Sequence, residues 1–256
     1  MLCRWFFFCA ALCAAAACRQ NLSQDDTRTS VTINVAAASD LTPAFTEIGT
    51  SLASSKSIKA VFTFGSSGLL SKQIEQGAPF DVFVSASQGF VDRLESQGLV
   101  LQGTRQVFAQ GRLVIWQRQD TVTPVNSLDD LALPAIHRIA VANPEHAPYG
   151  LAARQALESK RLWEAVKDKV IFGENVAQTL QFAQTGNVDA AIVARSLATR
   201  PQGRSIPVDS SAHAPIDQTL CILGRTRQPE ACRQFAEFLG SGDGRAILTQ
   251  YGFVVP

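Results

Sequence analysis

The sequence carries almost no net charge. Its 256 residues include 23 basic and 22 acidic side chains, which leave a formal charge of +1 at pH 7. Charges of both signs are interspersed, and beyond the first thirty residues there is no internal repeat, low-complexity segment or block of like charge. A nucleic acid or an anionic membrane surface is therefore not the expected partner, because each is bound through a basic face.

Cysteine is scarce outside the start of the chain. Four of the six cysteines lie in the first 18 residues, and only Cys221 and Cys232 follow. No CxxC pair and no Cys/His cluster exists, so a structural zinc site is not expected. The two later cysteines could pair in an oxidising compartment or remain buried thiols, and the sequence leaves both open.

A long hydrophobic run is also missing. The apolar stretch WFFFCAALCAAAA (5–17) is shorter than the ~20 residues that a membrane-spanning helix needs. Arg4 precedes it and small residues lead to Cys18, so residues 1–18 are interpreted as a signal peptide ending at a lipobox-like cysteine. Ala15 stands where a lipobox usually has leucine, which leaves lipidation of Cys18 and plain secretion both open. Residues 19–30 form a polar tether.

From about residue 31, strand-like and helix-like stretches alternate, which predicts an α/β fold with mainly parallel sheets. Four times a strand is followed by a short loop and the start of a helix. Such loops gather at the carboxyl ends of the strands, where helix N-termini present free N–H groups to anions. The four junctions are at Ser39, Ser66–Ser67, Pro148–Tyr149 and Asn175–Val176.

The turn GSSG (65–68) is typical of three kinds of site. A nucleotide phosphate loop requires GxxxxGK[ST], whereas the chain reads GSSGLLSK from Gly65. A serine hydrolase requires GxSxG, which neither Ser66 nor Ser67 satisfies, and only three histidines (137, 146 and 213) could act as the base. A cradle for a small anion needs only hydroxyls and backbone amides. The segments AAAS, GSSG and GENVA favour the cradle together, although a single serine at a helix start is usually an N-cap.

Several segments, taken in order, resemble signatures of the periplasmic molybdate-binding proteins of ABC transporters. The resemblance runs from about residue 31 to the end of the chain. The segments that carry it are VAAASDLTPAF, FGSSGLLSKQIEQGAPFDVFVSA, ANPEHAPYGLAARQAL, GENVAQTLQFAQTGNVDAAIVA and the final YGF.

This resemblance implies a type II periplasmic-binding-protein fold, in which two α/β lobes hold a tetrahedral oxyanion in the cleft between them. Lobe I would contain residues 31–112 and 220–256, and lobe II residues 113–219. The protein would be a periplasmic monomer, anchored to the membrane only if Cys18 is lipidated. It would have no catalytic step, and its partners would be molybdate or tungstate and an inner-membrane ABC permease.

The same resemblance implies a set of binding residues. Ser39 and Ser67 would each offer a hydroxyl and an amide from lobe I. Tyr149 and Val176 would each offer a backbone N–H from lobe II, with the phenol of Tyr149 as an extra donor. Molybdenum would be held as an oxyanion through these four residues, with no direct coordination of the metal and no cofactor.

Ser66 and Ala194 are additional candidates. Ala194 stands where some members of the family have a tyrosine, so that contact is missing here and Tyr149 could replace it. The site that the resemblance implies consists of donors alone, which would disfavour hydrogen phosphate because its proton would find no acceptor. Sulfate passes that test, so a binding protein for sulfate or another oxyanion stays open. A secreted serine hydrolase is the distant alternative.

Overall fold

The computed structural model describes residues 30–199 and 203–256. The predicted signal peptide, Cys18 and nearly all of the tether lie outside the described residues. Within them, no helix has both the length and the apolar character needed to cross a bilayer.

Two five-stranded sheets organise the chain. The first, in lobe I, has the order β2-β1-β3-β10-β4. Its strands are β1 (Val31–Ala38), β2 (Ile58–Gly65), β3 (Val82–Ser85), β4 (Gln106–Gln110) and β10 (Asp217–Ile222). The second, in lobe II, has the order β7-β6-β8-β5-β9. Its strands are β5 (Leu113–Arg118), β6 (Ile139–Ala142), β7 (Val170–Gly173), β8 (Ala190–Ala194) and β9 (Gly203–Pro207).

The strand directions confirm the α/β prediction. In lobe I, β1 runs parallel to β2 and β3, and only β10 runs antiparallel to its neighbours β3 and β4. Lobe II repeats the scheme, with β6 parallel to β7 and β8 while β5 is antiparallel to its neighbours. β10 begins at Asp217, so residues 217–219 pair within the lobe I sheet, ahead of the expected boundary at 220.

In the part of the chain that the structure describes, eight helices flank the sheets. Most follow the predicted amphipathic pattern: in the first helix, Phe45, Ile48 and Leu52 face the core and are fully buried. The helices are α1 (Thr42–Lys56), α2 (Ser67–Glu75), α3 (Gln88–Ser96), α4 (Pro148–Ser159), α5 (Trp163–Val166), α6 (Val176–Gln184), α7 (Pro229–Gly240) and α8 (Gly242–Gln250).

Two strands have no counterpart in the sequence prediction. β4 and β9 are short edge strands, and β9 has no buried residue. Because β9 is exposed on both faces, it lacks the apolar alternation by which a strand is found in a sequence. Both are defined by pairing with a neighbouring strand that lies far away along the chain.

Cys221 and Cys232 are both buried free thiols. Cys221 packs in a cluster with residues of α2 and α3, including Leu70 and Leu94, whereas Cys232 belongs to the main core with Phe235 of α7. The structure therefore has two unpaired thiols, which is one of the two alternatives that the sequence left open.

Candidate functional site

Three helices begin around one small cavity between the lobes. The N-termini of α2, α4 and α6 contribute Ser66, Ser67, Pro148, Tyr149 and Val176 to its wall. The end of β1 and neighbouring loops complete the lining with Ala38, Ser39, Asp40, Gly65, Ala86 and Ala147. The four strand-to-helix junctions predicted from the sequence therefore meet at one place.

Backbone amides at these helix starts are free. Within the described residues, the N–H groups of Ser67, Tyr149 and Val176 have no hydrogen-bond acceptor. The side chain of Asn175, the N-cap of α6, accepts hydrogen bonds from the amides of Ala177 and Gln178. It does not accept one from the amide of Val176. Unpaired N–H groups and the positive ends of three helix dipoles make a site for an anion.

Two hydroxyls add donors to these amides. Ser67 is 1% exposed, and its Oγ accepts a hydrogen bond of 3.1 Å from the amide of Ala86, which leaves the hydroxyl proton free to donate. Ser39 is buried at the end of β1, and no hydrogen bond of its hydroxyl is found within residues 30–199 and 203–256. Neither hydroxyl caps a helix, so the ordinary role of serine at a helix start does not apply to them.

Ser66 connects the lobes and is not placed as a nucleophile. Its hydroxyl donates to the backbone carbonyl of His146, and its Oγ lies 2.9 Å from His146 Nδ1. Because the single hydroxyl proton is given to the carbonyl, Nδ1 is the donor to Ser66 and cannot take a proton from it. The amide of Gly68 donates to the same carbonyl at 2.9 Å, so His146 holds lobe II against α2.

A buried polar network lies beside the cavity. The phenol of Tyr149 donates to Asp40 Oδ2 at 2.9 Å, and the side-chain amide of Gln218 donates to the same oxygen at 2.8 Å. The hydroxyl of Ser196 donates to the backbone carbonyl of Asp40 at 2.8 Å. Asp40 is fully buried, and its Oδ1 has no partner within the described residues.

Burial dominates the electrostatics of this network. Desolvation raises the pKa of Asp40 to about 7, against the lowering effect of the hydrogen bonds from Tyr149 and Gln218. The pKa of Tyr149 lies well above its usual value, because the phenol is buried and faces Asp40. Tyr149 is therefore a donor at neutral pH, and Asp40 changes its charge close to neutral pH.

Asp40 is a residue of the site that the sequence analysis did not name. The expected site consists of donors alone, and the structure adds Asp40 to the residues that line the cavity. In the sequence, an acidic residue directly after a strand reads as an ordinary partner of the first turn of a helix. Nothing local indicates its contacts with Tyr149, Ser196 and Gln218, which are 109, 156 and 178 residues away.

The remaining predicted residues are placed as follows. Val176 and Tyr149 line the cavity through helix starts of lobe II, and the phenol of Tyr149 is directed to Asp40. Ala194 ends β8, is fully buried, and does not line the cavity. Ser196, two residues later, does not line the cavity either but donates to the backbone carbonyl of Asp40.

A larger groove between the lobes adjoins the cavity and shares Ala86, Ala147 and Pro148 with it. Its wall is mostly apolar, and none of the three free amides lines it. The donors for an anion are thus concentrated in the smaller cavity. No group of three side chains able to hold a bare metal ion occurs in the described part of the chain.

Comparison with known proteins places this arrangement in a family. A sequence model of the bacterial extracellular solute-binding proteins matches residues 33–254. The chain belongs to this family. The match covers both lobes and every residue that lines the cavity.

Individual members of the family are similar over most of the chain. YvgL of Bacillus subtilis, whose name describes a substrate-binding lipoprotein of an ABC transporter, is 32% identical over 98% of this chain and 98% of its own. The molybdate-binding protein ModA of Azotobacter vinelandii is 31% identical over 86% of this chain and 89% of its own.

Solved structures show the same fold. The periplasmic molybdate-binding protein of Azotobacter vinelandii matches with a TM-score of 0.82 and 27% identity, covering 88% of this chain and 99% of its own. The sulfate-binding protein SubI of Mycobacterium tuberculosis matches with a TM-score of 0.74 at 15% identity, covering 87% of this chain and 86% of its own. At that identity the likeness to SubI concerns the fold alone.

Proposed function

We propose that this protein captures molybdate or tungstate outside the cytoplasm and delivers it to an ABC permease in the membrane. The observation that carries this proposal is the convergence of three unpaired helix-start amides and two free hydroxyls on one interlobe cavity. The names of the relatives, molybdate-binding proteins of several bacteria at about 30% identity, supply the ligand class.

The chemistry of the cavity suits a dianion. Molybdate is fully deprotonated at neutral pH, so its oxygens only accept hydrogen bonds, and Ser39, Ser67, Tyr149 and Val176 are the residues placed to donate to them. No lysine or arginine lines the cavity. Helix dipoles and amides offset the loss of hydration without a counter-charge. Molybdenum is held through its oxygens, with no direct metal ligand and no cofactor.

The engagement of Ser66 supports a binding role. Its hydroxyl proton and the Nδ1 proton of His146 are both used in contacts between the lobes, so this pair does not form a nucleophile and base. The protein acts as a monomer that closes over the ion. Lipidation of Cys18 would tether it to the membrane, as the lipoprotein name of YvgL suggests.

Calorimetric titration of the chain that starts after Cys18 tests the ligand. Molybdate and tungstate are expected to bind, with sulfate and phosphate much weaker, because sulfate has shorter bonds and would reach fewer of the donors at once. A response to sulfate without a response to molybdate would replace the proposed ligand.

Substitutions test the binding residues. Ser67→Ala and Ser39→Ala each remove a donor to a charged acceptor, and each is expected to weaken molybdate binding about tenfold or more. Ser71→Ala is the matched control, because Ser71 is a buried serine of the same helix as Ser67, has no hydrogen-bond partner and does not line the cavity. Equal molybdate affinities for all three variants would show that the ligand binds outside this cavity.

A further inference from the structure

One residue receives donors from both lobes. The side chain of Asp40 in lobe I accepts from Tyr149 in lobe II, and its backbone carbonyl accepts from Ser196, also in lobe II. Gln218, on β10 of lobe I, donates to the same carboxyl oxygen as Tyr149. All four residues are at most 3% exposed, so these bonds are shielded from water.

The network shares its residues with the cavity. Asp40 follows Ser39 directly, and Tyr149 presents its amide at the start of α4 while its phenol reaches Asp40. A ligand that orders Ser39 and the amide of Tyr149 therefore also brings Asp40 and the phenol together. The backbone amide of Tyr149 faces the ligand cavity and its phenol contacts the other lobe, so this residue would couple ligand binding to the contact between the lobes.

A glycine makes room for this contact. Gly111 lies between β4 and β5, where the chain crosses from lobe I to lobe II. A Cβ atom at this position would lie 1.9 Å from the hydroxyl oxygen of Tyr149, which is far inside van der Waals contact. The closed arrangement of the phenol over Asp40 thus depends on a residue without a side chain at the crossing.

The charge of Asp40 also affects the closing of the lobes. Oδ2 already accepts from two donors, whereas Oδ1 accepts from none, so a proton on this carboxyl sits on Oδ1. No ion pair to Asp40 is formed within residues 30–199 and 203–256. Burial raises the pKa of Asp40 to about 7, and a bound dianion would favour the neutral acid further.

Other charged groups near the network do not pair with Asp40. Arg112 acts on Tyr149 and lowers the pKa of the phenol, against the larger effects of burial and of Asp40. Arg195 precedes Ser196, but its side chain lies against Gly252. Glu47 of α1 accepts from Tyr251, and α6 has no charged residue. His146 contacts Ser66.

We propose that Asp40 is a positioning residue for anion capture, which latches the two lobes together through Tyr149 and Ser196 and does so as a neutral carboxylic acid. The latch goes beyond the proposed function and rests on it. In the open form Asp40 would be hydrated and ionised at neutral pH, so closing the lobes over the anion takes up one proton from solvent onto Oδ1.

The sign of the pH dependence follows from this proton. The pKa is higher in the closed form than in a solvated carboxyl, so the closed form is favoured as pH falls from about 7 towards 4 and loses this advantage as pH rises through 7. Affinity should weaken with rising pH by at most tenfold per pH unit, since one proton is involved.

The test is calorimetric titration with molybdate between pH 5.5 and 8.5 on three variants of the secreted chain. Asp40→Ala is expected to bind at least tenfold more weakly at every pH. Asp40→Asn keeps an oxygen for Tyr149 and Gln218 and is always neutral, so it is expected to bind without the wild-type decline between pH 5.5 and 7. Asp217→Asn is the control, since Asp217 is on the same strand as Gln218 but, within the described residues, its carboxylate accepts only from Gln88 and Gln110 of lobe I.

Wild-type affinity in Asp40→Ala would overturn the latch, and so would an Asp40→Asn variant that keeps the wild-type pH profile. The second result would place the proton on another group. Absence of molybdate binding by the wild-type protein at every pH would instead overturn the proposed function.

Discussion

The phenol of Tyr149 donates a hydrogen bond of 2.9 Å to the carboxyl of Asp40, across the interface between the two lobes. The same tyrosine presents its backbone amide to the cavity at the start of α4. Its two polar ends therefore serve different partners, one a residue of the other lobe and one the proposed anion.

Removing the phenol oxygen of Tyr149 should weaken molybdate binding, because it removes a hydrogen bond between the lobes. In Tyr149→Phe, the buried carboxyl of Asp40 loses one of two donors, which costs about 1–3 kcal/mol in the closed form and lowers molybdate affinity about tenfold. Tyr251→Phe is the matched control, because Tyr251 is the other tyrosine of the chain and bonds to Glu47 away from the cavity. Calorimetry measures both, and equal affinities would show that the phenol has no part in capture.

A methyl group at Gly68 should hold the lobes apart. A Cβ atom there would lie 2.8 Å from the carbonyl oxygen of His146 and 2.9 Å from Phe90 Cζ. The first contact is between lobes, so opening the cleft relieves it. We expect Gly68→Ala to weaken molybdate binding and to leave a larger radius of gyration in small-angle scattering with ligand present.

Gly89→Ala is the control for that experiment. Gly89 is also helical and belongs to the same lobe, but a Cβ atom there meets nothing closer than Ser87 Oγ at 3.8 Å. It should bind and compact like the wild-type protein. Compaction of Gly68→Ala to the wild-type radius would contradict the closed contact at His146.

The cap of α6 should support both stability and the site. Asn175→Ala removes the acceptor for the amides of Ala177 and Gln178, which should lower the free energy of unfolding by about 1 kcal/mol. For a protein of this length that corresponds to a fall in Tm of about 2–4 °C. Asn175→Asp keeps an acceptor and should restore the stability, which thermal denaturation would show; a deficit that persists would mean that the cap is not the cause.

The two cysteines of the folded part should be unreactive thiols. Burial raises the pKa of Cys221 to about 12 and that of Cys232 to about 11, so neither is ionised at pH 8. In the chain that starts after Cys18, a thiol reagent should find no reactive group in the native protein and two after unfolding in guanidinium. Fewer than two reactive thiols in the unfolded protein would indicate a disulfide.

Much of the architecture was predictable because it is local. The alternation of strand and helix patterns, the buried face of α1 and the serines at strand ends depend on residues within a few positions of one another, so periodicity and turn composition identify them. The shared signatures of the family, which cover both lobes, then indicated that Ser39, Ser67, Tyr149 and Val176 belong to one site.

The sequence by itself determined the α/β fold, the helix starts that face the cavity and the family. Only the tertiary structure decided the pKa of Asp40. Its pKa depends on complete removal from water and on donors from Tyr149 and Gln218, which lie far away along the chain. Desolvation is a property of everything packed around a group, so no local pattern indicates it.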